Sequence, residues 1–322
     1  NRIYKDVQQE MTTKDTLTHY DIVIIGGGPA GLSAALYAAR SKKSVLVLEK
    51  ETIGGQMMVT AVIENMPGGD NDPSVLAERM KEQAEHFGAV FRSAEVTAVD
   101  LAASPKRITL DEEVLEADAV ILATGANPRK LGLENEEQYT GRGLGYCATC
   151  DGPFFAGLPI YVVGGGDAAF DESLYLATLS DHVTILYRGE TPRATKLLQQ
   201  RAKESGKIKV VLHTDVIALG GDTMLTSFVM RNNVTGEEKT VEGDFGLFIY
   251  IGMVPNTKLF ADQIRVNEAG YIEAGEDTLT NLEGVYAAGD VRAKGVRQIV
   301  GALSDGATAA IAAGKYLDQL HR

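Results

Sequence analysis

The stretch Asp21-Ile-Val-Ile-Ile-Gly26-Gly27-Gly28-Pro29-Ala30-Gly31 decides how this chain folds. Ile22 to Ile25 are all apolar and read as a buried strand, and a glycine-rich turn follows at once. The next residues are rich in Ala and Leu and read as a helix, and Ser44-Val-Leu-Val-Leu48 is a second apolar strand. Strand, glycine turn, helix and strand make the βαβ unit that opens a dinucleotide-binding domain. The first glycine permits the tight turn, the second lets backbone approach a pyrophosphate, and the third keeps the helix close to the sheet. The pyrophosphate then lies at the helix N-terminus.

The same unit occurs a second time, without a gap. Pro159-Ile-Tyr-Val-Val-Gly164-Gly165-Gly166 aligns with residues 21–28, Leu174-Tyr175 with Leu36-Tyr37, and His182-Val-Thr-Ile-Leu186 with Ser44 to Leu48. One such fingerprint is a weak signal; two, each between a strand and a helix, are a strong one. The units differ where ligands are told apart. Eighteen residues past Gly31 stands Glu49, an acid suited to accept hydrogen bonds from an adenosine ribose. The same offset from Ala169 gives Tyr187, followed by Arg188 and then Arg193, cations suited to a 2′-phosphate. Plain solvated arginines at a helix start are the alternative reading.

Between the two units lie the only two cysteines, as Cys147-Ala148-Thr149-Cys150. Two cysteines in 322 residues are too few for a structural framework, so the pair reads as a redox dithiol or as half of a metal site. The five histidines are scattered with no ligand spacing, so no metal is expected. Residues 117–128 and 244–255 are both buried-strand patterns that end in glycine and then proline, as where a chain passes from one domain to another. The predicted fold is therefore α/β, with two dinucleotide-binding (Rossmann-like) domains, the second inserted into the first. Residues 20–126 and 256–322 form the first, residues 127–255 form the second and carry the dithiol, and residues 1–19 are a polar tail. The alanine-rich stretch from Gly301 to Leu320 reads as a closely packed helix.

Lys and Arg total 31 against 44 Asp and Glu, a formal net charge of −13 that argues against nucleic acid or an anionic membrane as partner. No apolar run reaches the length of a membrane span, and the first twenty residues lack the apolar stretch of a secretory signal. A cytoplasmic location is expected.

Together these motifs resemble the low-molecular-weight thioredoxin reductases, from Tyr20 to Leu320. The resemblance is carried by the first fingerprint, Gly54-Gly55-Gln56-Met57, Glu64-Asn65-Met66-Pro67-Gly68 and Ala123-Thr124-Gly125. It continues through Cys147-Ala-Thr-Cys150-Asp151-Gly152, the second fingerprint, Gly252-x-x-Pro255-Asn256-Thr257 and Ala288-Gly289-Asp290 with Arg297-Gln298. The cysteine block is the most specific of these.

The resemblance implies FAD at the first site. Gly26, Gly28, Pro29, Ala30 and Gly31 would hold its pyrophosphate, Glu49 and Lys50 its ribose end, and Gly55, Gln56 and Asn65 would lie near the flavin. Val96, Ala123, Thr124 and Gly125 would line the same site. Gly289 and Asp290 would meet the ribityl chain, and Arg297, Gln298 and Ile299 the flavin ring. The catalytic residues it implies are Cys150 against the flavin, Cys147 exchanging with a protein disulfide, and Asp151 as general acid and base. It also implies thioredoxin or a thioredoxin-like protein as partner, a homodimer, and rotation of the second domain about hinges near Asn127 and Pro255.

At the second site it implies NADPH on Gly164, Gly166, Asp167, Ala168, Arg188 and Arg193. NADPH-dependent members usually carry His-Arg-Arg-x3-Arg there, whereas this chain has Tyr187-Arg188-Gly189-Glu190-Thr191-Pro192-Arg193, with two of the three arginines. NADH and reduced ferredoxin therefore stay open as donors. A ferredoxin-dependent flavin thioredoxin reductase, an FAD-dependent dithiol oxidase and a flavin-binding module without turnover are the alternatives to NADPH-driven thioredoxin reduction.

Overall fold

Ile22, Ile24, Val45 and Val47 face one core, while their neighbours Val23, Ile25, Leu46 and Leu48 face another. Strands β1 (His19–Ile25) and β2 (Val45–Glu49) are thus covered on both faces, which is why they read as continuous apolar runs. The computed structural model describes residues 18–59, 63, 66–70, 72–111, 113–320 and 322, with backbone only for Val59, Thr149 and Cys150. Residues 1–17 of the expected tail, and Asn65, lie outside the described residues.

The chain divides into two units. One comprises the chain through Ile53, Glu78–Gly125 and Thr257–Arg322; the other comprises Gly54–Ala77 and Ala126–Asn256. In the first unit β1 lies between β2 and β6 (Val114–Leu122), parallel to both, and β3 (Val90–Ser93) extends the sheet beyond β2. The N-terminal half of β6 pairs antiparallel with β5 (Lys106–Thr109), which pairs with β4 (Ala98–Asp100). Its C-terminal end pairs in parallel with β17 (Val285–Ala287). Helix α1 (Pro29–Arg40) packs on the long helix α7 (Ile299–Leu320) through alanines, and Ser33 Oγ donates to the Leu303 carbonyl at 2.7 Å. Helix α2 (Pro73–His86) opens after Asp72, whose Oδ1 accepts from the Ser74 amide at 2.8 Å and the Ser74 hydroxyl at 2.6 Å.

The second unit repeats the layout. Its parallel sheet runs β11 (Ile208–Val211), β10 (Val183–Leu186), β9 (Ile160–Val163), β15 (Gly246–Ile249), β8 (Leu144–Gly145), matching β3-β2-β1-β6-β17 of the first. Around it lie α3 (Glu136–Tyr139), α4 (Ala148–Asp151), α5 (Asp167–Leu179) and α6 (Lys196–Glu204). A separate antiparallel sheet, β12 (Thr214–Gly220), β13 (Ser227–Asn232) and β14 (Glu238–Glu242), packs Phe228 edge-on against Tyr161 and Phe245. The crossover segments β7 (Ala126–Pro128) and β16 (Met253–Pro255) pair with each other, Asn127 opposite Val254. No helix among the described residues is long and apolar enough to cross a membrane.

Candidate functional site

In the first unit the glycine turn is held from three directions. A side chain on Gly31 would put its Cβ 1.9 Å from the Gly26 carbonyl oxygen, so helix α1 can approach the end of β1 only because that position lacks one. Gly26 abuts Ala123 at the end of β6, and Gly289 abuts Ala30. Glu49, at the end of β2, accepts the Gly27 amide at 2.7 Å with one carboxylate oxygen and the Glu51 amide at 2.9 Å with the other. Four lone-pair positions on a carboxylate leave room for two hydroxyl donors besides. Lys50 lies exposed beside Glu51 and Glu95, and Val96 packs against the second core, outside this cluster of contacts.

A buried ion cluster fixes the turn that carries Asp290. Asp305, on α7, accepts Arg292 through both oxygens at 2.8 Å, Lys294 at 2.8 Å and the Gly289 amide at 2.9 Å. Burial works to raise the Asp305 pKa, but the hydrogen bonds from Arg292 and Lys294 outweigh it and hold the carboxyl below the usual range. Asp290 is different. Among the described residues its buried Oδ1 has no hydrogen-bond partner, and neither does the buried Nε of Arg297, whose guanidinium lies 4.1 Å over the Tyr271 ring. Burial pushes the Asp290 carboxyl up, against the pull of Lys294 and Arg297. An orphaned buried acceptor and an orphaned buried donor are costly unless a ligand completes them.

The second unit has its own turn, at the C-terminal end of β9. Gly164 takes φ +154°, and a Cβ there would stand 2.3 Å from the Tyr250 carbonyl oxygen. The Gly165 carbonyl accepts the amides of Arg193 at 2.7 Å and Ala194 at 3.0 Å, and Asp167 Oδ1 accepts the Thr195 amide at 2.7 Å. The segment bearing Arg193 is thereby folded onto the turn. The Tyr187 ring packs against Gly165 and Gly189; a Cβ on Gly189 would stand 2.8 Å from that ring. Any side chain at position 189 would crowd the end of the Tyr187 ring. Arg188 and Arg193 are exposed.

The dithiol segment sits at the same end of this sheet, since α4 follows the C-terminal end of β8. Cys147 is disulfide-bonded, in a chain whose one other cysteine is Cys150. The Ala148 amide donates to the Tyr250 hydroxyl at 2.7 Å. Burial raises the Asp151 carboxyl above the usual range. Gln56 and Gly55 belong to this unit, where the Gln56 side-chain amide donates to Asn127 Oδ1 at 3.2 Å.

Residues 20–306 match the pyridine nucleotide-disulphide oxidoreductase family. The thioredoxin reductase of Treponema pallidum is 45% identical over 305 residues, covering 94% of this chain and 99% of the relative. The chain belongs to the low-molecular-weight thioredoxin reductases of that family. The thioredoxin reductase of Peptoclostridium acidaminophilum is 42% identical over 307 residues, 93% of this chain and 97% of the relative. The crystal structure of Lactococcus lactis thioredoxin reductase matches with a TM-score of 0.82 at 41% identity, over 93% of this chain and 99% of that one. The Asp305 cluster and the Tyr250 contact to Ala148 were not among the residues singled out from the sequence. A signal existed for the first: Asp305 is the one acid between Ile299 and Lys315 in an otherwise small and apolar helix.

Proposed function

We propose that this chain is a thioredoxin-disulfide reductase, carrying two electrons from NADPH by way of FAD to the Cys147/Cys150 pair and on to the disulfide of thioredoxin. The observation that carries this reading is a disulfide-bonded Cys147 at the strand ends of a nucleotide-type sheet, beside that sheet's own glycine turn. When bound, FAD supplies a centre that accepts a hydride from a nicotinamide and gives up an electron pair to a disulfide. In the first unit the residues present fit it. The Gly26–Gly31 turn offers backbone to the pyrophosphate, Glu49 keeps free lone pairs for ribose hydroxyls, and Asp290 Oδ1 awaits a hydroxyl donor. Arg297 Nε awaits an acceptor.

Reduction opens the Cys147–Cys150 bond and adds two electrons and two protons. Cys147, half-buried rather than enclosed, is assigned to attack the thioredoxin disulfide, and Cys150 to receive electrons from the flavin side. Asp151 is assigned to hold the proton that a departing thiolate needs. Burial raises its carboxyl above the ordinary range, the direction that suits a group exchanging a proton. Arg188 and Arg193 are assigned to the 2′-phosphate of NADPH. A homodimer and a reducing, cytoplasmic setting follow from the resemblance to similar enzymes, and size-exclusion chromatography with light scattering tests the first. NADPH oxidation by the FAD-bound chain, with and without oxidised thioredoxin, tests the activity. Turnover that depends on thioredoxin supports the proposal. Oxygen consumption from dithiols with no thioredoxin turnover would instead indicate an oxidase.

A further inference from the structure

Cys147 is gripped through both of its neighbours. On one side the Tyr146 hydroxyl donates to Glu136 Oε1 at 2.5 Å. Glu136 is itself buried and fixed, accepting the amides of Leu131 and Gly132 at 2.7 Å each and of Leu133 at 3.3 Å. On the other side the amide of Ala148, which is fully buried, donates to the Tyr250 hydroxyl at 2.7 Å. Tyr250 is anchored in turn, its own amide donating to the Val163 carbonyl at 2.7 Å where β9 ends. Burial raises the pKa of both phenols far above neutrality, so each remains protonated.

Satisfied buried polar groups would be explanation enough if they were scattered through the unit. Here they bracket a single residue, and that residue breaks and remakes a covalent bond. The balance between disulfide and dithiol depends on the effective concentration of one thiol at the other. A backbone pinned at residues 146 and 148 keeps the Cys147 thiol in place after the bond opens, which favours reclosure. A loosened backbone lets the thiols part and favours the dithiol.

We propose that Tyr146 and Tyr250 are positioning residues that set the redox poise of the Cys147/Cys150 couple by pinning the backbone on both sides of Cys147. The proposal rests on the reading of this pair as the redox dithiol. In the assay the reductant is dithiothreitol, whose two thiols close to a cyclic disulfide and deliver the two electrons and two protons that open the protein bond. FAD-loaded wild type, Tyr146→Phe and Tyr250→Phe are equilibrated anaerobically across mixtures of reduced and oxidised dithiothreitol. Free thiols are then alkylated and counted by mass spectrometry. Tyr139→Phe is the control, because its hydroxyl donates to the Gly221 carbonyl at 2.9 Å and not to the dithiol flank. Circular dichroism and melting curves report folding in each variant.

The expected result is a shift of about tenfold toward the dithiol in Tyr146→Phe and in Tyr250→Phe, a potential about 30 mV more positive, with Tyr139→Phe unchanged. A shift in only one of the two tyrosine variants, or in neither, overturns the proposal. So does an equal shift in Tyr139→Phe, which would mark general loosening. A wild-type pair that does not exchange with dithiothreitol at all overturns the redox reading itself, and is told apart from the other failures because no variant is needed to see it.

Discussion

Asp305 holds Arg292 with both carboxylate oxygens, each at 2.8 Å, and the chain between Gly289 and Lys294 is fixed by that grip. Asp290 lies inside the fixed segment with a buried oxygen that no described residue satisfies. Scaffold and ligand-facing group are therefore separable. Asp290→Ala is expected to lower FAD affinity by one to two decades, the loss of a charge-assisted hydrogen bond of about 1.5–3 kcal/mol, while the apoprotein melts as before. Asp305→Asn leaves buried Arg292 and Lys294 without their anion, so it is expected to lower both FAD affinity and the melting temperature. Ultrafiltration of released flavin, with melting curves of the apoproteins, checks both.

Gly31→Ala places a methyl group 1.9 Å from a backbone oxygen that cannot swing aside. Overpacking of this kind costs about 1–3 kcal/mol or more. The variant is expected to melt several degrees lower and to lose yellow colour during purification. A variant as stable and as yellow as wild type would contradict the close helix–strand approach.

Glu172, on α5, has its carboxyl pushed up to about 7 by burial and then by the charge of Asp171. Between about pH 4.5 and about pH 7 the folded chain therefore binds more protons at this group than the unfolded chain does. Its contribution to stability is full below that window and is lost as pH rises through it. Glu172→Gln removes the titration. The melting temperature of Glu172→Gln relative to wild type is expected to climb from pH 5 to about pH 8 and then level off. A difference independent of pH would show that the carboxyl titrates normally.

The proposed NADPH site has two arginines, Arg188 and Arg193, where the resembling family pattern has three. Because Arg188 is exposed, its contact with a phosphate is worth at most about 1 kcal/mol, so Arg188→Ala is expected to raise KM for NADPH about two- to fivefold and leave KM for NADH unchanged. Gly189→Arg alone is expected not to tighten NADPH, since its Cβ meets the Tyr187 ring. Combined with Tyr187→His it is expected to do so. Steady-state KM values for the two nucleotides separate these outcomes.

Much of this was legible in the sequence. The two βαβ units were readable because buried parallel strands must be apolar throughout and the turns after them need glycine, so Ile22–Ile25 and Ile160–Val163 announce themselves. The packed C-terminal helix was readable from its alanines. The spacing of Cys147 and Cys150 left a redox dithiol and half of a metal site both open, and the family resemblance pointed to the dithiol. Strands β12–β14 were not, because exposed antiparallel strands such as Glu238–Glu242 alternate weakly and carry many charges. The contacts of Tyr146, Tyr250 and Asp305 were hidden for another reason. Each joins residues between 10 and 102 positions apart, and no local pattern encodes which hydroxyl meets which amide or carboxylate.

The central claim is that flavin and dithiol form one electron path. Its most direct test is anaerobic titration of the FAD-bound chain with a two-electron reductant, followed by flavin absorbance. Wild type is expected to take up two equivalents, one for the flavin and one for the Cys147/Cys150 disulfide, and Cys150→Ser only one. A single equivalent in both would contradict the account, because the disulfide would then lie outside the path.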